Sequence, residues 1–265
     1  MRVTLLGSRG FVGSAFARLL RTRPDIELIE VEIDNYAEKV GTQSDVVIEA
    51  ACNSVKFLAD QKPFEEFELS VTHRLHTLRD FPARLHLHVS SVDVYSDLTS
   101  PETTREESPI DRAAQSHYGF HKLLAEELVQ HYAPRWLIVR LAGMVGPRLR
   151  KNPVYDILNG QPLRIHPESR YQFMHTDDVA RLAWALVEEG ITGEVYNICG
   201  DGLITPREIA ALAGRELDLS LLPADAPPRV VHASNAKLRR LMEVPRTHDA
   251  VAAFVGAWPQ SAQEP

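Results

Sequence analysis

Cysteine is nearly missing from this sequence. Only Cys52 and Cys199 occur among 265 residues, they show no metal-ligand spacing, and so sparse a use of thiols points to a reducing compartment. The eleven histidines are scattered without ligand spacing either, so no metal site is expected. No apolar run approaches the roughly 18 residues of a membrane span. Gly7, Ser8 and Arg9 interrupt the N-terminal apolar run too early for a secretory signal. An excess of basic charge is lacking too: the net charge of -7 argues against a nucleic-acid or anionic-membrane surface. Internal repeats and low-complexity segments are absent. The expectation is a cytoplasmic protein without nucleic-acid or membrane partners. Its 44% hydrophobic residues suffice for one substantial core and a small appendage.

What is present alternates. Apolar runs read as strands at 2–6, 26–33, 45–50, 85–89 and 136–141, and helical patterns as helices at 11–22, 62–79 and 113–131. Such alternation implies a parallel sheet covered by helices on both faces. About a dozen residues join the second strand to the third, too few for helix, strand and helix, so one strand of a standard doubly wound sheet is expected to be missing or vestigial. The polar stretch 96–112, with Pro101 and Pro109, reads as a loop. Thr205-Pro206-Arg207-Glu208 is a capping box with Pro at the first helical position, opening a helix to about Leu217.

Val3-Thr4-Leu5-Leu6 runs directly into Gly7-Ser8-Arg9-Gly10-Phe11-Val12-Gly13, and a helical pattern with Phe16, Leu19 and Leu20 follows. Strand, glycine turn and helix are the setting in which a dinucleotide fingerprint carries meaning. Gly7 would permit the tight turn, Gly10 the approach of a pyrophosphate, and Gly13 the packing of helix on strand. The anion would lie at the helix N-terminus, beside Phe11 and Val12. The competing account is an ordinary strand-to-helix turn; position, spacing and flanking pattern together favour the fingerprint.

Tyr118 and Lys122, four residues apart, share one face of a helix. An ammonium near a phenol favours the phenolate, so Tyr118 is expected to titrate below its usual pKa of about 10, toward neutrality. A phenol of that kind exchanges protons with an alcohol or carbonyl at working pH. In isolation the same spacing describes an exposed surface pair.

Combined, G-x-x-G-x-x-G and Tyr-x-x-x-Lys resemble the extended short-chain dehydrogenase/reductase superfamily, in its NAD(P)-dependent epimerase/dehydratase branch. Further segments agree in order: Asp45 to Ala51 resembles "DVVIHLAA", Ser90-Ser91-Val92-Asp93-Val94-Tyr95 resembles "SSxxVY", Trp136 to Pro147 resembles "LRxxNVYGP", Phe173 to Ala180 resembles "FIHVDDVA", and Val195 to Ile198 resembles "VYNIG". The resemblance reaches from residue 1 to about residue 200. It implies a Rossmann-like doubly wound parallel sheet from 1–147 and 173–200, and a small C-terminal substrate-binding region from 148–172 and 201–265. It also implies NAD or NADP as cofactor, bound by Gly7, Arg9, Gly10, Phe11, Val12, Gly13, Ala50 and Ala51, with Tyr118 and Lys122 at the nicotinamide end. An acid after the second strand would hold the adenosine ribose and select NAD; Glu30, Glu32 and Asp34 all lie there, Glu32 and Asp34 being nearest the strand end. Arg9 inside the turn speaks instead for the NADP phosphate. The three acids tip the expectation slightly toward NAD.

By the same resemblance Tyr118 would exchange the proton, Lys122 would lower its pKa and hold the nicotinamide ribose, and Ser91 would hydrogen-bond the reacting oxygen. Sugar-nucleotide dehydratases of the branch carry Asp-Glu after the catalytic hydroxyl residue, where this chain has Val92 and Asp93, which argues against 4,6-dehydration. Asp93 reads equally as a second acid/base and as a solvated loop carboxylate. His86 and His88 are expected to be packed, and His117 and His121 to be bystanders. Val92, Gly143 and Arg148 would meet substrate with Ser91, although Gly143 replaces the usual Asn. Arg148, Arg150, Lys151, Arg164 and Arg170 would clamp a diphosphate or simply face solvent. The leading expectation is a sugar-nucleotide oxidoreductase or epimerase. Behind it stand a dehydrogenase of a small alcohol and, from another class, a non-catalytic cofactor-sensing or RNA-binding relative. A homodimer through helices 62–79 and 113–131 is expected, with His73, Leu75, Leu128 and His131 dividing between core and interface.

Overall fold

The structure, a computed structural model, describes residues 1–261, so the last four residues of the expected 201–265 segment lie outside it. The chain forms two compact units. The first comprises 1–96, 109–141 and 180–196, the second 97–108, 142–179 and the residues from Asn197 onward.

In the first unit β1 (Arg2–Leu6) leads to α1 (Gly13–Arg21), then β2 (Glu27–Val31), a one-turn α2 (Tyr36–Lys39) and β3 (Ser44–Glu49). Three short helices follow: α3 (Lys56–Gln61), α4 (Pro63–Phe67) and α5 (His73–Asp80), the last two joined by a π-helical turn at Glu68–Thr72. β4 (Ala83–Ser91), α6 (His117–Tyr132) and β5 (Trp136–Leu141) complete its core. The remaining elements are β6 (Gly143–Val145), α7 (Pro153–Leu158), β7 (Arg170–Tyr171), β8 (Phe173–His175), α8 (Thr176–Glu188), β9 (Glu194–Ile198), α9 (Pro206–Ala213), β10 (Val230–Val231), α10 (Ala236–Arg239) and α11 (Thr247–Ser261).

The main sheet has the order β2-β1-β3-β4-β5-β9, with parallel pairing from β2 through β5. This is the Rossmann-like doubly wound arrangement. β2 stands at the edge, and the short link to β3 holds only the four residues of α2, which accounts for the missing strand. The strand order reverses between β1 and β3, and the crevice beyond the carboxyl ends of those strands is where such sheets bind ligands. β1, β3 and β5 are buried almost throughout, as strands covered on both faces must be.

Two expectations from sequence need correction. The single helix read at 62–79 is broken into α4, the π turn and α5. The helix opened by the capping box stops at Ala213 instead of near Leu217, because Gly214 adopts a left-handed φ of 61° and closes it. The capping box itself forms, Thr205 and Glu208 each accepting the other's backbone N–H.

His86 and His88 are packed inside the sheet, 5% and 1% exposed. Burial, with the nearby Arg74 charge, lowers His86 to about 4 and carries His88 the same way. A folded-state value below the ordinary 6.5 means that the unfolded chain takes up the proton first. The stability contributed by neutral His86 is therefore complete above pH 6.5 and is lost as pH falls from 6.5 toward 4, by roughly 3 kcal/mol in full. Urea melts at pH 7.5 and pH 5 should show this decline, and His86→Gln should lessen it, His88 keeping its own share; a wild-type protein equally stable at both values would contradict the account.

Candidate active site

The turn after β1 is built on two glycines. Gly7 has φ of 80°, and a Cβ on it would lie 2.9 Å from the backbone of Ala51 at the end of β3. A Cβ on Gly13 would meet the Gly7 carbonyl oxygen at 1.9 Å, so α1 can start this close to β1 only with glycine there. The Gly10 N–H donates to Gly7 C=O and the Ser14 N–H to Gly10 C=O, both at 2.9 Å. The amides of Phe11 and Val12 take part in neither bond and stand at the helix entrance, where an anion is favoured.

The three candidate acids separate by their partners. Glu30 is taken by Arg21, whose guanidinium donates to both of its oxygens at 2.7–2.9 Å. Asp34 is paired with Arg9 at 2.7 Å, both side chains exposed. Glu32 instead faces the glycine turn: its Oε1 accepts the Ser8 hydroxyl at 2.8 Å and the Arg9 backbone N–H at 2.7 Å. A glycine cradle, a helix entrance and a carboxylate held at the end of β2 fit the pyrophosphate and adenosine ribose of a dinucleotide.

The candidate acid/base residues lie at the end of β4 and on α6. Ser91 ends β4, and the following turn buries Val92 and Val94, leaving Ser91 and Asp93 as its polar members. Val92 is buried, 3% exposed. α6 is capped by Ser116, whose side chain accepts the Gly119 N–H at 3.0 Å. Gly119 seats α6 on the 92–94 turn, since a Cβ there would lie 2.1 Å from the Asp93 carbonyl oxygen. This contact brings Tyr118 and Lys122 to the end of β4. Lys122 is 2% exposed and its Nζ lies 5.2 Å from the centre of the Tyr118 ring.

Tyr118 is 6% exposed, and its hydroxyl donates to the Asn53 carbonyl at 3.4 Å. Burial first, then Cys52, Asp93 and Glu66, push the phenol well above its ordinary range. This reverses the direction expected from sequence. Desolvation of the phenolate, which helical spacing does not reveal, is the largest cause.

Two groups here, Lys56 and Glu66, escaped the sequence reading. Asp93 accepts the Ser91 hydroxyl on Oδ2 and the Lys56 ammonium on Oδ1, each at 2.7 Å. Lys56 opens α3 and carries no motif. Glu66, fully buried, accepts the Ser70 hydroxyl and pairs with His121 Nδ1. His121 thus has a buried acid as its partner, whereas His117 pairs with Asp60 in the open. No local pattern in the sequence marks Glu66.

Gly143 and Arg148, expected at substrate, belong to the second unit. Gly143 has a packing reason: a Cβ would lie 2.5 Å from the Gln172 carbonyl oxygen and 2.8 Å from the Phe173 ring. Arg148 has a left-handed φ of 67°.

Fold and turn together define a dinucleotide-binding Rossmann protein with a Ser, Tyr and Lys set at the strand ends. The chain belongs to the NAD dependent epimerase/dehydratase family, whose model matches residues 3–199; such proteins are enzymes of the extended short-chain dehydrogenase/reductase type that use NAD or NADP. A protein described as a probable dTDP-glucose 4,6-dehydratase from Sinorhizobium fredii is 24% identical over 257 residues, covering 76% of this chain and 71% of its own. A dTDP-glucose 4,6-dehydratase from Neisseria gonorrhoeae is 28% identical over 48% of this chain and only 39% of its own length. Among solved structures, RMD from Pseudomonas aeruginosa complexed with NADPH superposes with a TM-score of 0.80 at 21% identity, covering 98% and 99% of the two chains. UDP-glucuronic acid 4-epimerase from Bacillus cereus in complex with UDP-glucuronic acid and NAD gives 0.77 at 18%, over 97% and 100%. No helix among the described residues is long and apolar enough to cross a membrane.

Proposed function

We propose that this chain is a cytoplasmic NAD(P)-dependent oxidoreductase or epimerase acting on a sugar nucleotide, through reduction of a 4-keto-6-deoxy sugar or 4-epimerisation by way of a transient ketone. The observation that carries the reading is the seating of α6 on the 92–94 turn through Gly119, which gathers Ser91, Tyr118 and Lys122. When bound, the nicotinamide supplies or takes up the hydride. Tyr118 gives the reacting oxygen its proton, Lys122 balances the phenolate that remains, and Ser91 orients the oxygen; donors aimed at developing charge stabilise the transition state. The sugar-nucleotide class rests on the printed activities of relatives and on the cationic run Arg148, Arg150 and Lys151. A panel of dTDP-, UDP- and GDP-sugars and simple alcohols, followed by nicotinamide absorbance and product analysis, tests it. Turnover of simple alcohols alone would transfer the assignment to a small-alcohol dehydrogenase, the reading that Gly143 in place of the usual Asn favours.

NAD is the cofactor this reading prefers, because Glu32 would meet the ribose and repel a 2′-phosphate. Glu32→Gln should weaken NADH binding and strengthen NADPH binding, each by about tenfold. Fluorescence titration measures both, and a wild-type protein that binds NADPH more tightly would reverse the preference. A homodimer is part of the same proposal. Phe57, Phe64 and Leu69, on α3, α4 and the π turn, are exposed by 60%, 87% and 46%, an apolar surface suited to a second copy of the chain. Of the residues expected to share this role, His73, Leu75 and Leu128 are half-buried and His131 is exposed. A monomer in sedimentation at micromolar concentration would count against it.

A further inference from the structure

Glu66 is wholly enclosed, although it sits on the five-residue α4. A carboxylate is tolerated in such a place only when its oxygens are paired. Here Oε1 accepts the Ser70 hydroxyl from the π turn and the Asn53 side-chain amide at 3.5 Å, and Oε2 meets Nδ1 of His121 on α6. The His121 side chain is itself only 12% exposed, set edge-on to the Phe67 ring with 5.3 Å between ring centres. One acid thus gathers a hydroxyl, an amide and an imidazole from three separate segments.

We propose that Glu66 is a positioning residue for Tyr118: it ties the Asn53 loop to α6 and so holds the Asn53 carbonyl as a fixed acceptor for the phenol. The inference rests on the oxidoreductase or epimerase reading above and deepens it, naming a residue outside the Ser, Tyr and Lys set on which the proton step depends.

Contacts lead from the carboxylate to the phenol on two sides. On α6, Tyr118 and His121 are three residues apart and are neighbours on one helix face. In the loop, Asn53 Nδ2 donates to the Val55 carbonyl at 3.1 Å, and its Oδ1 accepts the Val55 N–H at 2.8 Å. That clasp and the bond to Glu66 hold the peptide whose carbonyl accepts the Tyr118 hydroxyl at 3.4 Å. With the ring buried, the hydroxyl hydrogen can turn about the C–O bond, from Asn53 toward a reacting oxygen, while the phenol oxygen stays in place. A donor held in this way is already oriented when substrate arrives. Glu66 is also near enough that its charge acts on the phenol, alongside burial, Cys52 and Asp93.

A double-mutant cycle tests the role, with dTDP-4-keto-6-deoxyglucose and NADH as the probe. Glu66→Leu removes every grip of the carboxylate, and Asn53→Ala removes the clasp but keeps the carbonyl. Each should lower kcat by about ten- to a hundredfold with KM within about twofold of wild type. Glu66→Gln, which keeps bonding groups on a side chain of the same shape, should recover most of that loss. In a Tyr118→Phe background, Glu66→Leu should change the residual rate by less than about twofold, since the group it positions is gone. A loss as large in that background as in the wild type would reduce the cluster to a general support of the fold and overturn the inference. So would Glu66→Leu or Asn53→Ala with wild-type kcat. Should Glu66→Leu fail to fold, Asn53→Ala carries the same comparison. The variants are also read without turnover, by carbon NMR of protein labelled at the tyrosine Cζ, with Tyr118 assigned through Tyr118→Phe. Its resonance should move in Glu66→Leu and in Asn53→Ala. A wild type inactive toward every sugar nucleotide of the panel would defeat the functional reading and leave the positioning to be judged on this signal, where a Tyr118 resonance indifferent to both variants would overturn it.

Discussion

Replacing Tyr118 with Phe should lower turnover by about a hundred- to ten-thousand-fold while leaving cofactor affinity within a few-fold of wild type. The substitution removes only the hydroxyl. Ring packing, the seat made by Gly119 and the buried Lys122 ammonium all remain, so the fold and the nicotinamide end should persist. The wild-type pH profile carries a second expectation. Burial, with Cys52, Asp93 and Glu66, holds the phenol well above its ordinary range, so the protonated form dominates through neutral pH. Ketone reduction needs that form and should stay level from pH 6 to about 9. Alcohol oxidation needs the phenolate and should rise with pH over the same interval. A reduction rate that halves near pH 7 would show that bound cofactor brings the phenol down to neutrality. A Tyr118→Phe protein with wild-type turnover would remove the acid/base role of Tyr118 altogether.

What could be read from the sequence divides by the distance over which each signal acts. The β1–turn–α1 unit declares itself within twenty residues, because its glycines, strand and helix are all local. Tyr118 and Lys122 are legible for the same reason, since a helix fixes residues four apart on one face. Ser91 required the resemblance of the whole Ser90 to Tyr95 segment. Beyond that reach the signals fail. Lys56 and Asp93 are 37 residues apart and Glu66 and His121 are 55 apart, and each pair meets only when the strands align. Among Glu30, Glu32 and Asp34 the choice fell to partners on other elements, Arg21, Ser8 and Arg9, which no local pattern assigns. The direction of the Tyr118 shift was missed on similar grounds: the neighbouring cation is visible along the helix, whereas burial is a property of the assembled site.

Removing Glu126 should cost about 3–5 kcal/mol of stability. Arg140 on β5 and Glu126 on α6 are 5% and 0% exposed, and the guanidinium donates to both carboxylate oxygens, at 2.7 Å from Nη2 and 3.0 Å from Nε. Ser90 on β4 also donates to Glu126, and Arg140 donates to the Tyr95 hydroxyl at 2.9 Å. Burial pulls Arg140 down, but the Glu126 charge and hydrogen bonds more than reverse this, so the guanidinium stays charged inside the fold. Glu126→Leu leaves that charge without a counterion, which is the expensive way to break a buried pair. The double variant Glu126→Leu with Arg140→Met removes both charges and should recover most of the loss. Urea melts of the single and double variants measure the difference. The pair also bears on chemistry, because Glu126 lies one helical turn beyond Lys122 and two beyond Tyr118 and fixes α6 to β5. The double variant should therefore regain stability without regaining full turnover, since an apolar contact restores burial but not the fixed rotation of the helix. Equal recovery of both would show that Gly119 and the 92–94 turn alone set the position of Tyr118.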